Sequence, residues 1–325
     1  MNYLTNMNTY KSPNPGIWNG RTSGQGLYLH EIVKCIDFET LSSFASTERI
    51  ALLGYACDEG VRRNQGRIGA AEGPDAIRGE LGKLPNPLNP NTTFLDMGNV
   101  ICLDGNMEAA QNALSQKVAL LLERKCFPIL LGGGHDMAYG HYKGIKQYLG
   151  KDKSIGIFNF DAHFDLRNNK TGNNSGTPFY QIAQDCRAEG ETFPYFCLGI
   201  RRDANDQALF GTASELGVHY LENREFSIGN AKQVVRKVLE FLGEVDHVYI
   251  TIDLDGFSSA YAPGVSAASP LGFAPSIVLE TLQMIMDSRK LVSLDLAEMN
   301  PRFDRDNQTA KLAASLVHFV MLSSA

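Results

Sequence analysis

The sequence holds 325 residues, 43% of them hydrophobic, enough to bury the core of one large α/β domain or of two ordinary ones. Lys and Arg number 30 against 36 Asp and Glu, a net charge of -6, which excludes a strong positive field for nucleic acid or an anionic membrane surface and leaves anionic ligands to locally placed arginines. No apolar run reaches the roughly 18 to 20 residues of a spanning helix, and the six cysteines are scattered without a C-x-x-C pair, which reads as reduced core thiols of a cytoplasmic protein.

Residues 1–15 are polar, rich in Asn, and lack the basic, apolar and small-residue order of a secretory leader, so a flexible arm is expected there. Trp18 is either the apolar anchor of that arm or a ligand contact. About eight runs rich in branched and aromatic residues then read as strands: 49–55, 93–96, 127–131, 154–160, 195–200, 218–221, 247–252 and 291–296. Helical periods lie between them, as at 109–123 and at 228–242, where Val234, Val235, Val238, Leu239 and Leu242 are expected on one buried face. Strands alternating with helices build parallel crossover units, and strands apolar nearly throughout are covered on both faces. The expected fold class is α/β, a three-layer αβα sandwich around a central, mostly parallel sheet of about eight strands. No linker or internal repeat divides the chain, so residues 1–325 are expected to form a single domain.

The chemistry-bearing residues gather where strands end. Run 127–131 leads into Gly132-Gly133-Gly134-His135-Asp136, whose glycines permit a tight turn and close approach to a ligand. A phosphate cradle would use similar glycines, but the Lys-Ser/Thr of a P-loop and a G-x-G-x-x-G pattern are both missing. Ile155-Gly-Ile157 leads into Phe158-Asn-Phe-Asp161-Ala-His163-Phe-Asp165. Residues two apart in extended chain share a side, which would bring Asp161, His163 and Asp165 together as a site for Mn²⁺, Zn²⁺ or a similar ion; a solvated turn uses the same residues. Run 247–252 ends in Asp253-Leu-Asp255-Gly256, which is also compatible with a helix cap or turn. Both would open on the carboxyl edge of a parallel sheet, where such folds hold ligands. The last run closes with Glu298-Met-Asn300-Pro301, and Glu298 is either a surface acid or the partner of a cationic substrate group.

Taken together, Gly-Gly-x-His at 132–135, Asp-Ala-His-x-Asp at 161–165, Asp-x-Asp at 253–255 and Glu-x-Asn-Pro at 298–301 resemble the ureohydrolase family, which includes arginases, agmatinases and formimidoylglutamases. The resemblance implies the arginase-like fold, a homo-oligomer and two Mn²⁺ per chain that activate water. One ion would be held by His135, Asp161, Asp165 and Asp253, the other by Asp161, His163, Asp253 and Asp255. The arginase and agmatinase branch carries Ser-Gly-x-x-His, whereas Ser175-Gly-Thr-Pro-Phe179 has phenylalanine in that place, so a histidine proton shuttle is absent. Segments 18–21, 60–67, 199–205 and 262–266 are instead similar to the formimidoylglutamase branch, which implies hydrolysis of N-formimidoyl-L-glutamate to L-glutamate and formamide.

On that reading Asp165 is the candidate proton carrier as well as a ligand, and Glu298 orients the amidinium. Arg67 and Arg201, with Asn64 and Asn205 as neutral donors, are the candidates for the substrate's carboxylates; surface salt bridges are the ordinary alternative for the arginines. His30, His141, His219, His247 and His318 read as structural, with His141 close enough in sequence to His135 to support it. An amidinohydrolase of guanidino substrates and a non-catalytic ligand-binding relative are the rival functions.

Overall fold

The computed structural model describes residues 9–43 and 48–323. Its centre is a ten-stranded sheet: β1 (Tyr10–Lys11), β2 (Lys34–Cys35), β3 (Glu48–Ala56), β4 (Thr92–Ile101), β5 (Cys126–Leu131), β6 (Ile155–Phe160), β7 (Tyr195–Ile200), β8 (His219–Glu222), β9 (His247–Asp253) and β10 (Leu291–Ala297). The strand order is β1-β4-β3-β5-β10-β9-β6-β7-β8, with β2 also on β4, and every pairing is parallel except β1 with β4. All eight expected strands are present. The additional two are only two residues long, too short to leave a period in sequence.

Alternation along the strands fills two separate cores. Leu52, Ile129, Phe158, Ile250 and Leu294 face one side, where helices Gly73–Leu81, Ala231–Gly243, Pro275–Asp287 and Gln308–Ser323 pack. Leu53, Leu130, Ile157 and Tyr249 face the other, under helices Met107–Glu123, Met137–Leu149, Pro178–Glu189 and Gln207–Glu215. This is the expected three-layer αβα sandwich, and it accounts for strands with scarcely a polar residue. In helix Ala231–Gly243 the expected face is corrected: Val234, Val238, Phe241 and Leu242 are buried, while Val235 and Leu239 are exposed. The stripe turns with the 3.6-residue period through Phe241, so Leu239 falls outside it.

Of the expected arm, residues 1–8 lie outside the described residues, and Tyr10–Lys11 pairs with Asn99 and Val100. Trp18 is buried, with its indole N–H donating to Asp96 Oδ2 at 2.8 Å; Arg78 Nε donates to the other oxygen at 3.0 Å. The N-terminal segment is thereby fastened to β4. No described helix is long and apolar enough to cross a membrane.

Candidate metal centre

Strands β5, β10, β9 and β6 are consecutive neighbours in the sheet, and their carboxyl ends supply every candidate ligand. Past β5 the glycines carry the ladder onward: Gly132 N–H donates to Leu296 O, Gly133 N–H to Tyr55 O at 2.8 Å, and Gly134 N–H to Cys57 O at 2.9 Å. A Cβ on Gly133 would lie 1.9 Å from Cys57 O. These glycines approach neighbouring backbone closely, and their path sets His135 at the sheet edge.

The Asp161–Asp165 segment converges for a different reason from the one its spacing suggests. β6 stops at Phe160, and the following residues bend instead of staying extended. Three bonds shape the bend: His163 N–H to Asp161 Oδ1, Phe164 N–H to Asn205 Oδ1, and Arg201 N–H to Ala162 O. Asp165 sits at φ 48°, a left-handed conformation that non-glycine residues adopt when the surroundings enforce it. Glu298, at φ 66°, is the second such case at this edge. After β9 the chain enters a 3-10 turn over Leu254–Gly256, with Asp253 Oδ1 accepting from Asp255 N–H at 2.8 Å.

Two groups of potential ligand atoms result, His135 with Asp161, Asp165 and Asp253, and Asp161 with His163 and Asp255, each lying within 4.8 Å. Asp253 thus stands in the first group only. His135 Nδ1 is 3.3 Å from Asp161 Oδ2, 3.0 Å from Asp165 Oδ2 and 3.0 Å from Asp253 Oδ2. His163 Nδ1 is 3.4 Å from Asp161 Oδ1 and 3.3 Å from Asp255 Oδ1. Asp161 turns one oxygen toward each group.

The electrostatics call for a cation. Burial and the neighbouring carboxylates push Asp165, Asp255 and Glu298 above the usual carboxylate range. Burial works to lower both imidazoles, yet the facing carboxylates outweigh it and hold His135 and His163 well above the ordinary histidine value. His135 Nδ1 and Asp255 Oδ1 are buried without a hydrogen-bond partner. Orphaned buried atoms of this kind are costly unless something binds them. An all-oxygen and imidazole donor set suits Mn²⁺ and related divalent ions.

A cavity of about 180 Å³ opens over the centre, lined by His135, His163, Asp165, Asp253, Asp255 and Glu298 on its floor and by Asn64, Arg167, Ser175, Asn205 and Ser266 among its walls. Glu298 Oε1 accepts from His135 N–H at 2.9 Å. Of the four substrate-binding candidates, only Asn64 and Asn205 reach the cavity. Asn205 is nevertheless occupied, its amide bridging Ala162 O, Arg201 O and Phe164 N. Arg67 lies over the Phe303 ring and donates to Val265 O and Ser266 O, and Arg201 is paired through two bonds with Asp203. The cavity's cation is Arg167, which sequence reasoning passed over; its Nη1 donates to Asn64 Oδ1 at 2.7 Å. It stands two residues after Asp165, and that position was the only available signal. Phe179 is buried with its ring edge-to-face against His135 at 5.3 Å.

A sequence model described as the Arginase family matches residues 48–323. The formimidoylglutamase of Clostridium tetani is 39% identical over 322 residues, covering 96% of this chain and 95% of the relative. Among solved structures, formimidoylglutamase from Bacillus subtilis subsp. subtilis str. 168 is similar with a TM-score of 0.81 at 20% identity, over 94% of each chain. Trypanosoma cruzi formiminoglutamase with Mn²⁺ is similar with a TM-score of 0.75 at 24% identity, over 85% of this chain and 93% of that one. At these identities the two structures speak for the fold.

Proposed function

The chain belongs to the arginase family, and from that premise we propose that it is a manganese-dependent hydrolase cleaving the amidine C–N bond of N-formimidoyl-L-glutamate to L-glutamate and formamide. The observation that carries the metal half of this reading is the pair of orphaned atoms, His135 Nδ1 facing three acids and Asp255 Oδ1 facing His163, in two groups joined through Asp161. His135, Asp161, Asp165 and Asp253 would hold one ion, and Asp161, His163 and Asp255 the other, which Asp253 would join as the family resemblance implies. Two Mn²⁺ so held supply Lewis acidity and lower the pKa of water to near neutrality.

The protein's own groups do the rest. Asp165 borders the cavity, where its carboxylate is placed to take a proton from the attacking water and deliver it to the departing amine nitrogen. Glu298 has one oxygen committed to the His135 N–H, leaving the other for an amidinium N–H. Arg167, with Asn64 and Ser175, offers the donors that the substrate's carboxylates require, while Asn205 is held by backbone atoms, Arg67 by two carbonyls and Arg201 by Asp203. Among the described residues the imidazoles that line the cavity are His135 and His163, both in the ligand groups, and Phe179 packs edge-to-face on His135, which favours an amidine over a guanidino substrate.

A manganese-loaded assay with formimidoylglutamate, arginine and agmatine in parallel tests the reading. Glutamate and formamide in equal amounts are expected. Urea release would move the substrate to the guanidino class, and ammonia with formylglutamate would move the site of cleavage. Six unpaired thiols support a cytoplasmic setting, and the homo-oligomer implied by the family is checked by sedimentation.

A further inference from the structure

Beneath His135 the sheet buries a polar chain that neither the ligand set nor the cavity uses. His135 turns Nδ1 toward Asp161, Asp165 and Asp253, and its other nitrogen, Nε2, lies 2.8 Å from Thr251 Oγ1. Thr251 donates its one hydroxyl proton to Asp295 Oδ1 at 2.6 Å. Asp295 Oδ2 accepts from the Tyr249 hydroxyl and lies 2.6 Å from His141 Nδ1. His141 Nε2 is 2.7 Å from Ser293 Oγ, which donates to Pro128 O at 2.8 Å. Thr251, Asp295, His141 and Ser293 are each 0% exposed.

The direction of the chain follows from what each group can do. A carboxylate only accepts, so the threonine proton points to Asp295 and only a lone pair remains for His135. His135 Nε2 must therefore carry a proton, and Nδ1 is the nitrogen whose lone pair a cation takes when it displaces the proton there. The ring is also held in place from the side by Phe179. Asp295 is itself fixed by three donors from β9 and helix Met137–Leu149. An aspartate on β10 and a histidine on helix Met137–Leu149, neither with access to solvent, are expensive to bury unless they are mutually satisfied.

We infer that Thr251, Asp295 and His141 are positioning residues that fix the tautomer and orientation of His135 and thereby set the affinity of one of the two metal sites, the one shared by His135, Asp161, Asp165 and Asp253. They touch no reacting atom. Groups placed behind a metal-ligating histidine commonly govern metal affinity by about 10- to 100-fold. The inference rests on the metal-binding part of the proposed function and is independent of the substrate.

The test measures manganese binding to the full chain by calorimetry, with metal content after dialysis against a weak chelator. Thr251→Val keeps the shape and removes the hydroxyl. It is expected to weaken one of two sites by at least about tenfold, leaving close to one retained ion per chain, while the site containing His163 and Asp255 is unchanged. Thr251→Ser should restore both. Asp295→Asn should weaken the same site, and combining it with Thr251→Val should add little, because the two act in series. Should Thr251→Val fail to fold, Asp295→Asn gives the same readout, with Thr251→Ser as the control that keeps both sites. Two sites of unchanged affinity in a folded Thr251→Val or Asp295→Asn protein would overturn the inference, as would an equal loss at both sites. An unmodified protein that takes up no divalent ion would overturn the metal reading and this inference together, whereas unchanged affinity in the variants overturns the inference alone.

Discussion

Asp161 is the residue both ligand groups share, one oxygen 3.3 Å from His135 Nδ1 and the other 3.4 Å from His163 Nδ1. Asp161→Ala is expected to lose both ions on dialysis and more than about 100-fold in turnover, as metal analysis and kinetics would show. Full retention of one ion would deny it the shared role. Proton linkage at the same residues has a definite sign. His135 and His163 keep their protons in the metal-free fold above the ordinary histidine value, so metal-free stability should fall as pH rises above about 6.5, where the unfolded chain releases its protons first. Manganese must displace those protons, so its affinity should rise over the same window, by up to about tenfold per unit for each proton released. Denaturant melts and calorimetry at pH 6.5, 7.5 and 8.5 check both trends, and a flat affinity profile would contradict the second. The acids and imidazoles at strand ends were legible as letters in sequence. Arg167 was not, because its value comes from Asn64 across the cavity, and Thr251 and Asp295 were hidden by apolar neighbours. A polar residue amid an apolar strand is nonetheless a signal, since burial obliges it to find a partner.

At the scale of elements, the site depends on how each strand ends. The β5 ladder is prolonged by glycines that leave no room for a side chain, with Cys57 O 1.9 Å from where a Gly133 Cβ would lie. Gly133→Ala should cost about 1–3 kcal/mol or more and displace His135, read as a lowered melting temperature together with weaker manganese binding. A variant that melts and binds manganese like the parent would show that the turn relaxes without moving the ligand. The strand runs themselves were read correctly because branched and aromatic residues mark them locally. Their endings were not: spacing suggested an extended Asp161–Asp165, whereas Asn205 and Arg201, some 40 residues away, fold it into a bend. The same limit explains helix Ala231–Gly243, where Val235 and Leu239 are apolar yet face away from the sheet.

For the whole molecule, the candidate ligands come from the ends of β5, β6 and β9, with Glu298 of β10 beside them, so metal binding and folding are coupled. At free manganese about 100 times its dissociation constant, each site should add about 2.7 kcal/mol to stability, and a chelator should remove it. A thermal melt insensitive to both would mean that the groups bind no ion or are not formed by the fold. Trp18 fastens the N-terminal segment to Asp96 of β4, whose other oxygen accepts from Arg78 of helix Gly73–Leu81, and Trp18→Phe should cost about 1–3 kcal/mol by leaving Asp96 Oδ2 without its buried donor. Denaturant unfolding checks this, and an unchanged midpoint would deny the anchor. By itself the sequence determined the element types, the layered architecture and the residue kinds at the strand ends, because periodicity and backbone preference act over a few neighbouring residues. Only the tertiary structure decided which donors remain open. Arg67 and Arg201 are spent on backbone carbonyls and Asp203, Arg167 remains at the cavity, and His135 is aimed from behind by Thr251, since a hydrogen bond is chosen by proximity in space and not by distance along the chain.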